Sequence, residues 1–215
     1  MWLSYARFGS VTGVSFDYYI NPVHREFAHK YGVLSPRRIP ASLTDYLSLR
    51  FPTLQREAPF LRADRHSCDY PSLYSNDFSE VYLPLPWSSG WLVFGAVMGI
   101  LCLVRRNGAD TFERAAAMAL FAQCLCVLSF FALAQRYAAD LCPFLIFCLI
   151  VFLSSGGVAL LRLRHVMIAL IAFGVTVNSL ATVSWLVDAD QNVPPQTRAA
   201  WEKFLGRHSN DSEKP

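Results

Sequence analysis

Residues 141–161 read LCPFLIFCLIVFLSSGGVALL, a run of 21 residues without any Asp, Glu, Lys or Arg. Three more charge-free runs lie at 87–104, 115–135 and 166–187. The hydrocarbon core of a bilayer is ~30 Å thick, and an α-helix rising 1.5 Å per residue crosses it with about 20 residues. The sequence therefore predicts four transmembrane helices.

The charged residues are concentrated outside these runs. Asp, Glu, Lys and Arg make up 16% of the 215 residues, against about a quarter in soluble domains. An apolar content of 53% excludes a disordered chain and an ordinary soluble enzyme. A net charge of +3 without a basic run excludes a nucleic-acid partner. We therefore expect an all-α integral membrane protein that has the lipid bilayer as its first partner.

Positive charges distinguish the two faces of the predicted helix bundle. The loop after the first run carries Arg105, Arg106 and Arg114, and the loop after the third run carries Arg162 and Arg164. Because Arg and Lys accumulate in cytoplasmic loops, both chain ends are expected on the extracytoplasmic side of an inner or plasma membrane. Aromatic residues typical of a membrane interface are expected together at that side: Trp87, Trp91, Tyr137 and Trp185.

Small and polar residues within the runs predict how the helices pack. Gly95 and Gly99 form a GxxxG pattern in the first run, which lets helix backbones approach closely. Asn178 lies near the middle of the fourth run, where a polar side chain needs a partner. We expect it to hydrogen-bond a neighbouring helix.

The chain divides into an extracytoplasmic segment 1–86, a membrane region 87–187 and an outer tail 188–215. The segment is proline-rich and irregular, with a weak alternation at 11–16 that predicts a strand. The tail carries a short amphipathic helix at about 196–205, expected to lie in the membrane interface.

Two short helices are predicted within the segment. The first opens at Asn21 and Pro22 and closes at Gly32, because these residues favour helix starts and ends. The second is expected to start at Ser42, with Asp45 completing a capping box.

The beginning of the chain does not resemble a signal peptide, since no basic region precedes an apolar one. A segment that lies outside nevertheless has to be carried across the membrane. We therefore expect the sequence to be the C-terminal piece of a longer polytopic protein whose N-terminal transmembrane half is missing here.

The turn between the second and third runs holds the most informative polar residues: Arg136, Tyr137, Asp140 and Pro143. Asp140 is placed to cap the third helix, and Pro143 suits a first helical turn. Arg136 can pair with Asp140 or hold an anionic headgroup in a bidentate manner. A salt-bridged helical hairpin and a phosphate site are both compatible with this pattern.

The pattern Arg136-Tyr137-x-x-Asp140-x-x-Pro143 resembles one family when it is read together with Tyr5-Ala6-Arg7-Phe8-Gly9-Ser10. That family is the C-type, polyprenyl-phosphate-sugar-dependent glycosyltransferases of the bacterial envelope. Ser35-Pro36-Arg37-Arg38-Ile39-Pro40 is also similar to the later part of their outer loop. The resemblance covers roughly 5–52 and 134–149.

The resemblance implies transfer of a sugar from a lipid-phosphate carrier at the outer face. It places the binding site for a polyprenyl-phosphate-linked sugar at Arg136, Tyr137, Asp140 and Arg7, with Arg136 and Arg7 expected to contact the phosphate. Family members usually place their acidic catalytic residue in an earlier loop, which would lie upstream of Met1, so no catalytic residue is assigned. We expect neither a metal site nor a cofactor.

A second function fits the same sequence. The chain can be a non-enzymatic membrane subunit that packs against a larger membrane-protein partner through the face of Gly95 and Gly99. A transporter is disfavoured, because the ionisable residues Arg136 and Asp140 are predicted at the interface and not at mid-membrane.

Overall fold

The computed structural model describes residues 21–50, 52–62, 73, 83–105, 111–133, 135–155, 158–189 and 193–206, and most of them are helical. In chain order the elements are α1 (Pro22–Tyr31), a 3-10 turn (Pro36–Arg38), α2 (Ile39–Tyr46), β1 (Thr53–Leu54), β2 (Leu61–Arg62), α3 (Leu85–Ser88), α4 (Gly90–Arg105), α5 (Thr111–Leu128), α6 (Gln135–Ala139), α7 (Cys142–Ser154), α8 (Val158–Ser184), a π-helical turn (Trp185–Ala189) and α9 (Pro195–Phe204).

Three helical stretches are long and apolar enough to cross a membrane: Thr111–Leu128, Tyr137–Ser154 and Leu163–Val187. These helices confirm the predicted all-α class, with three candidate membrane spans. The first predicted span forms α4, an apolar helix of 16 residues, which is shorter than each of the three stretches named above. It starts after a break at Ser89, whose φ of −143° and ψ of 41° leave the helical region after the four residues of α3.

Helix α1 confirms the prediction of a helix that opens at Asn21 and Pro22 and closes at Gly32. The Asn21 side chain accepts a hydrogen bond from the Val23 amide at 3.0 Å. At the other end Gly32 has a φ of 74°, a conformation that glycine adopts without a steric penalty, and its N–H donates to the Ala28 carbonyl at 2.9 Å.

The predicted start of the second short helix is wrong. Helix α2 begins at Ile39, and Ser42 is a buried residue within it. Pro36 and Pro40 explain the earlier start, because each has a fixed φ that suits a first helical turn, and together they lead the chain from the 3-10 turn into α2. The strand predicted at 11–16 lies outside the described residues.

The second and third predicted spans are shorter as helices than the charge-free runs. Helix α5 ends at Leu128, and α7 ends at Ser154. The loop predicted to hold Arg162 and Arg164 is wrong, because α8 begins at Val158 and both residues lie within it. After α5 the backbone pairs with the segment, since Leu34 and Phe130 form an antiparallel bridge and the Ser35 N–H donates to the Ser129 carbonyl at 2.9 Å. Hydropathy cannot distinguish this buried, non-helical stretch from a continuing helix.

Helices α4 and α7 pack in the parallel direction through the GxxxG face. A Cβ added at Gly99 would overlap the backbone carbonyl of Cys148, and one added at Gly95 would overlap the Leu149 side chain. Further along, the Cys102 thiol lies 3.6 Å from the Ser155 hydroxyl. The packing role of this pattern is confirmed, and residues of α7 cover the glycine face within the chain.

Helix α8 runs antiparallel to α4. A side chain of α8 also hydrogen-bonds the backbone at the break between α3 and α4. Both Nδ2 hydrogens of Asn178 are used: one bonds the Ser88 carbonyl at 2.6 Å and the other the Gly174 carbonyl at 2.8 Å. The predicted hydrogen bond of Asn178 across helices is therefore confirmed. Its acceptor is a carbonyl at the end of α3 that lacks a helical partner.

A β-hairpin packs beside the same part of α8. Strands β1 and β2 are antiparallel, with Leu54 opposite Leu61. The Leu61 side chain is buried in a cluster with Leu83 and Val177. The hairpin, α1 and α2 thus lie at one end of the helix bundle, the end where α4 and α7 begin and α5 ends. We call this end the segment side.

The aromatic belt predicted from the sequence is only partly in agreement with this packing. A Cβ built on Gly174 would lie 3.9 Å from Cδ1 of Trp91, so these two residues are at one level. Trp185 comes eleven residues after Gly174 on the same helical path, which is about 16 Å along its axis. Trp91 and Trp185 therefore cannot lie at the same depth unless α8 is steeply tilted.

The tail helix is confirmed within one residue at each end. Helix α9 spans Pro195–Phe204, and Gly206 follows it with a φ of 69°. The Trp201 and Phe204 rings contact each other edge-to-face at 5.8 Å, and α9 has no buried residue.

We predict that Gly99→Ala destabilises the folded chain by about 1–3 kcal/mol, because the new methyl group meets backbone and not a movable side chain. Gly90→Ala is the matched control, since its Cβ would lie 3.8 Å from the Leu170 side chain, an ordinary contact. The measurement is the thermal unfolding midpoint of both variants in the same detergent. Equal midpoints for the two would contradict the packing described here.

Candidate functional site

Helix α6 holds the core of the predicted phosphate site. Tyr137 lies in its middle and is half-buried, with its ring edge-to-face on Phe130 at a centroid distance of 5.1 Å. Arg136 is in the preceding helical position, and its side chain lies outside the described part of the structure, as does the whole of Arg7. The predicted pairing of Arg136 with Asp140 therefore stays a prediction.

Asp140 does not cap α7 in the way the sequence suggested. The residue at the N-cap position is Leu141, which has helical backbone angles and no side-chain capping bond. The chain turns almost continuously from α6 into α7, because the Asp140 and Leu141 amides donate to the Tyr137 and Ala138 carbonyls at 3.1 and 3.2 Å. Asp140 is exposed, and Pro143 occupies the first turn of α7 as predicted.

A buried apolar cluster joins α6 to helix α2 of the segment. Its members come from α2, α3, α5, the stretch after α5, α6 and the start of α7: Tyr46, Leu85, Cys124, Leu128, Leu133, Ala138 and Leu141. Ala138 and Tyr46 therefore share one core although 92 positions separate them. The turn that carries Arg136, Tyr137 and Asp140 is fixed between the membrane helices and the segment.

The residue that the sequence interpretation missed is Arg38, which is only 1% exposed. Its guanidinium donates five hydrogen bonds, each to a different backbone carbonyl. The acceptors are Leu73 (2.6 Å, from Nε), Val33 (3.0 Å, from Nη1), Ser129 (3.3 Å, from Nη1), Tyr31 (3.1 Å, from Nη2) and Gly32 (2.9 Å, from Nη2). A guanidinium has five N–H donors, so this set matches its full capacity.

The acceptors explain why a buried charge is stable at this position. Tyr31 and Gly32 end α1, and Ser129 follows the last residue of α5, so their carbonyls lack helical partners and carry the negative ends of two helix dipoles. The Phe27 ring adds a cation–π contact, with its centroid 5.7 Å from Arg38 Cζ. Arg38 therefore connects the segment to the membrane helices.

The Phe27 ring that faces this guanidinium belongs to a cluster of aromatic rings. Phe131 is 1% exposed; Phe27 stacks on it at 6.1 Å, and buried His24 meets it edge-on at 6.4 Å. The sequence signal was the position of Arg38 between Pro36 and Pro40, since two prolines fix the backbone around it. Nothing in the sequence indicated which carbonyls it would meet.

Within the described ranges, no three His, Cys, Asp or Glu side chains are close enough to form a metal site. Comparison of the chain with protein-family models, with curated proteins and with solved structures found no match. The candidate site is thus the α6 turn, supported by the cluster of Tyr46 and Ala138 and by the Arg38 hydrogen bonds.

We predict that Arg38→Met destabilises the chain by at least about 3 kcal/mol, because several buried carbonyls lose a charged donor at once. Arg37→Ala is the matched control, since Arg37 is the exposed neighbour. The measurement combines the unfolding midpoint in detergent with limited proteolysis of residues 21–62. Protease resistance of Arg38→Met equal to that of Arg37→Ala would contradict the role given to Arg38.

Proposed function

We propose that this chain is the C-terminal region of a glycosyltransferase-like envelope protein that binds the phosphate of a polyprenyl-phosphate-linked sugar at its outer face. The observation that carries the proposal is the shared core of Ala138 and Tyr46. It fixes the turn with Arg136, Tyr137 and Asp140 against the segment, where the resemblance expects the lipid phosphate.

The proposal includes a membrane topology with four spans. Helix α4 crosses as the first span, with α5, the stretch Tyr137–Ser154 and α8 as the others. Positive charge supports the orientation, since exposed Arg105 and Arg164 lie away from the segment side. In this arrangement the segment and the tail are extracytoplasmic, and the α6 turn faces the outer leaflet.

The chemistry of the turn suits an anionic headgroup. An Arg guanidinium binds phosphate oxygens with two parallel hydrogen bonds, and a Tyr hydroxyl adds a neutral donor. Asp140 carries the same charge sign as the ligand, so its role here is to hold Arg136 and not to touch phosphate.

We predict that Arg136→Ala weakens binding of polyprenyl phosphate about tenfold or more, since a hydrogen bond to a charged group is worth about 1.5–3 kcal/mol. Arg136→Lys should lose less, because it keeps the charge without the bidentate geometry. The measurement is a titration of polyprenyl phosphate, with and without an attached sugar, against the full chain in lipid nanodiscs.

Arg164→Ala is the control for this titration, because Arg164 is exposed and lies away from the segment side. Unchanged affinity of Arg136→Ala would contradict the phosphate site. Aggregation of Arg136→Ala, while Arg164→Ala stays monodisperse, would favour the structural interpretation, in which Arg136 and Asp140 only close a helical hairpin.

A specific observation favours the second candidate, a non-enzymatic subunit of a larger membrane complex. Of the 18 residues of α5, only Cys124 and Leu128 are buried, and both lie towards its end. Gln123 exposes an amide within the charge-free stretch 115–128 of this helix. A complex isolated in mild detergent and lost on Gln123→Leu would support the subunit, with α5 as its contact in place of the covered glycine face.

A further inference from the structure

The segment exposes large apolar side chains that the bundle does not cover. Leu43 lies on α2, Leu47 and Leu49 follow it, and Leu54 and Phe60 lie on the hairpin, with Leu54 67% and Phe60 56% exposed. Soluble surfaces rarely gather side chains of this kind in one stretch. Helix α1 differs, because its exposed residues include Glu26, His29 and Lys30.

Helix α8 gives a first estimate of how deep these segment residues lie relative to the hydrocarbon boundary. The spanning part ends at Val187, and Asn178 lies nine residues before that end. About 20 residues fill the hydrocarbon, so its boundary on the segment side falls between residues 182 and 187 and Asn178 lies roughly 6–14 Å inside it. Ser88, hydrogen-bonded to Asn178 at 2.6 Å, is at the same depth.

The lengths of α4 and α5 give a second, independent estimate of how far below the hydrocarbon boundary this part of the structure lies. Arg105 ends α4 and holds that end at the headgroups, and the 16 residues of α4 then reach only about 24 Å into a hydrocarbon of ~30 Å. From Arg114 to Leu128, α5 reaches about 21 Å. Both helices therefore stop roughly 6–9 Å below the boundary on the segment side.

Elements of the segment fill the layer between the ends of α4 and α5 and the hydrocarbon boundary. Tyr46 of α2 packs with Leu85 and Leu128, and Leu61 of the hairpin packs with Val177. Leu133, in the non-helical stretch after α5, belongs to the cluster of Tyr46 and is buried as well. Irregular backbone at hydrocarbon depth is stable only where protein covers it, as it does here.

We propose that the face formed by Leu43, Leu47, Leu49, Leu54 and Phe60 is immersed in the lipid leaflet on the segment side. Its occupant is the acyl region of the bilayer that α8 crosses. Exposed Arg50, Arg56 and Glu57 lie between these side chains in sequence and reach the headgroups, which limits the insertion to a shallow one.

The test uses thiol labelling of the full chain in vesicles of phosphatidylcholine with a minor fraction of phosphatidylglycerol. Leu54→Cys and Phe60→Cys are compared with Val23→Cys, in a background without native cysteines that keeps the parent's unfolding midpoint. Val23 is the matched control, because it is 51% exposed and lies on α1. A water-soluble maleimide should label the first two at least about tenfold more slowly, since apolar surroundings disfavour the reactive thiolate.

A second readout separates lipid from protein as the cover. A bimane label at Leu54→Cys or Phe60→Cys should be quenched by lipids brominated on their acyl chains, and the label at Val23→Cys should not. Labelling as fast as at Val23→Cys, without quenching, would place the face in water and overturn the proposal. Slow labelling without quenching would show that a second copy or another protein covers the face, and would overturn it as well.

Discussion

The buried guanidinium of Arg38 is the interaction on which the rest of the structure depends. It joins the end of α1, the end of α5 and Leu73 in one set of hydrogen bonds. Such a charge is stable only where every donor finds an acceptor. The bonds therefore fix where the segment stands on the bundle and, through α2, where the α6 turn lies.

This constraint explains how a segment with little core of its own acquires a defined fold. The strands β1 and β2 are two residues each, and α2 is eight residues long. Elements of this size are marginal alone in water. They are ordered here because they complete two buried clusters together with membrane helices, one around Tyr46 and one around Leu61. The segment and the bundle are thus one folding unit.

The sequence predicted the parts of this fold that depend on local chemistry. The caps of α1, the tail helix, the GxxxG contact and the hydrogen bond of Asn178 follow from residue types and spacing. The lost helical turns after Leu128, the early start of α2 and the Arg38 acceptors depend on residues far apart in the chain, such as Leu34 with Phe130. No periodicity reports such pairings.

For the candidate site, the sequence predicted the position of the turn but not the contacts that hold it. The turn with Arg136, Tyr137 and Asp140 was located correctly between two apolar helices. The capping role of Asp140 was wrong, because α6 runs on into α7 through consecutive turns and Leu141 takes the cap position. What supports the turn from behind, the buried cluster that includes Ala138 and Tyr46, required the tertiary structure.

The contact between Gly99 and Cys148 also has a consequence for biosynthesis. Parallel packing of α4 on α7 leaves 49 positions between the two residues, and α5 is made in between. At about 5–20 residues per second, the ribosome needs roughly 2–10 s to add that stretch. During this interval the glycine face of α4 lacks the helix that covers it in the folded chain, and any other helix that occupies it then must leave before α7 can dock.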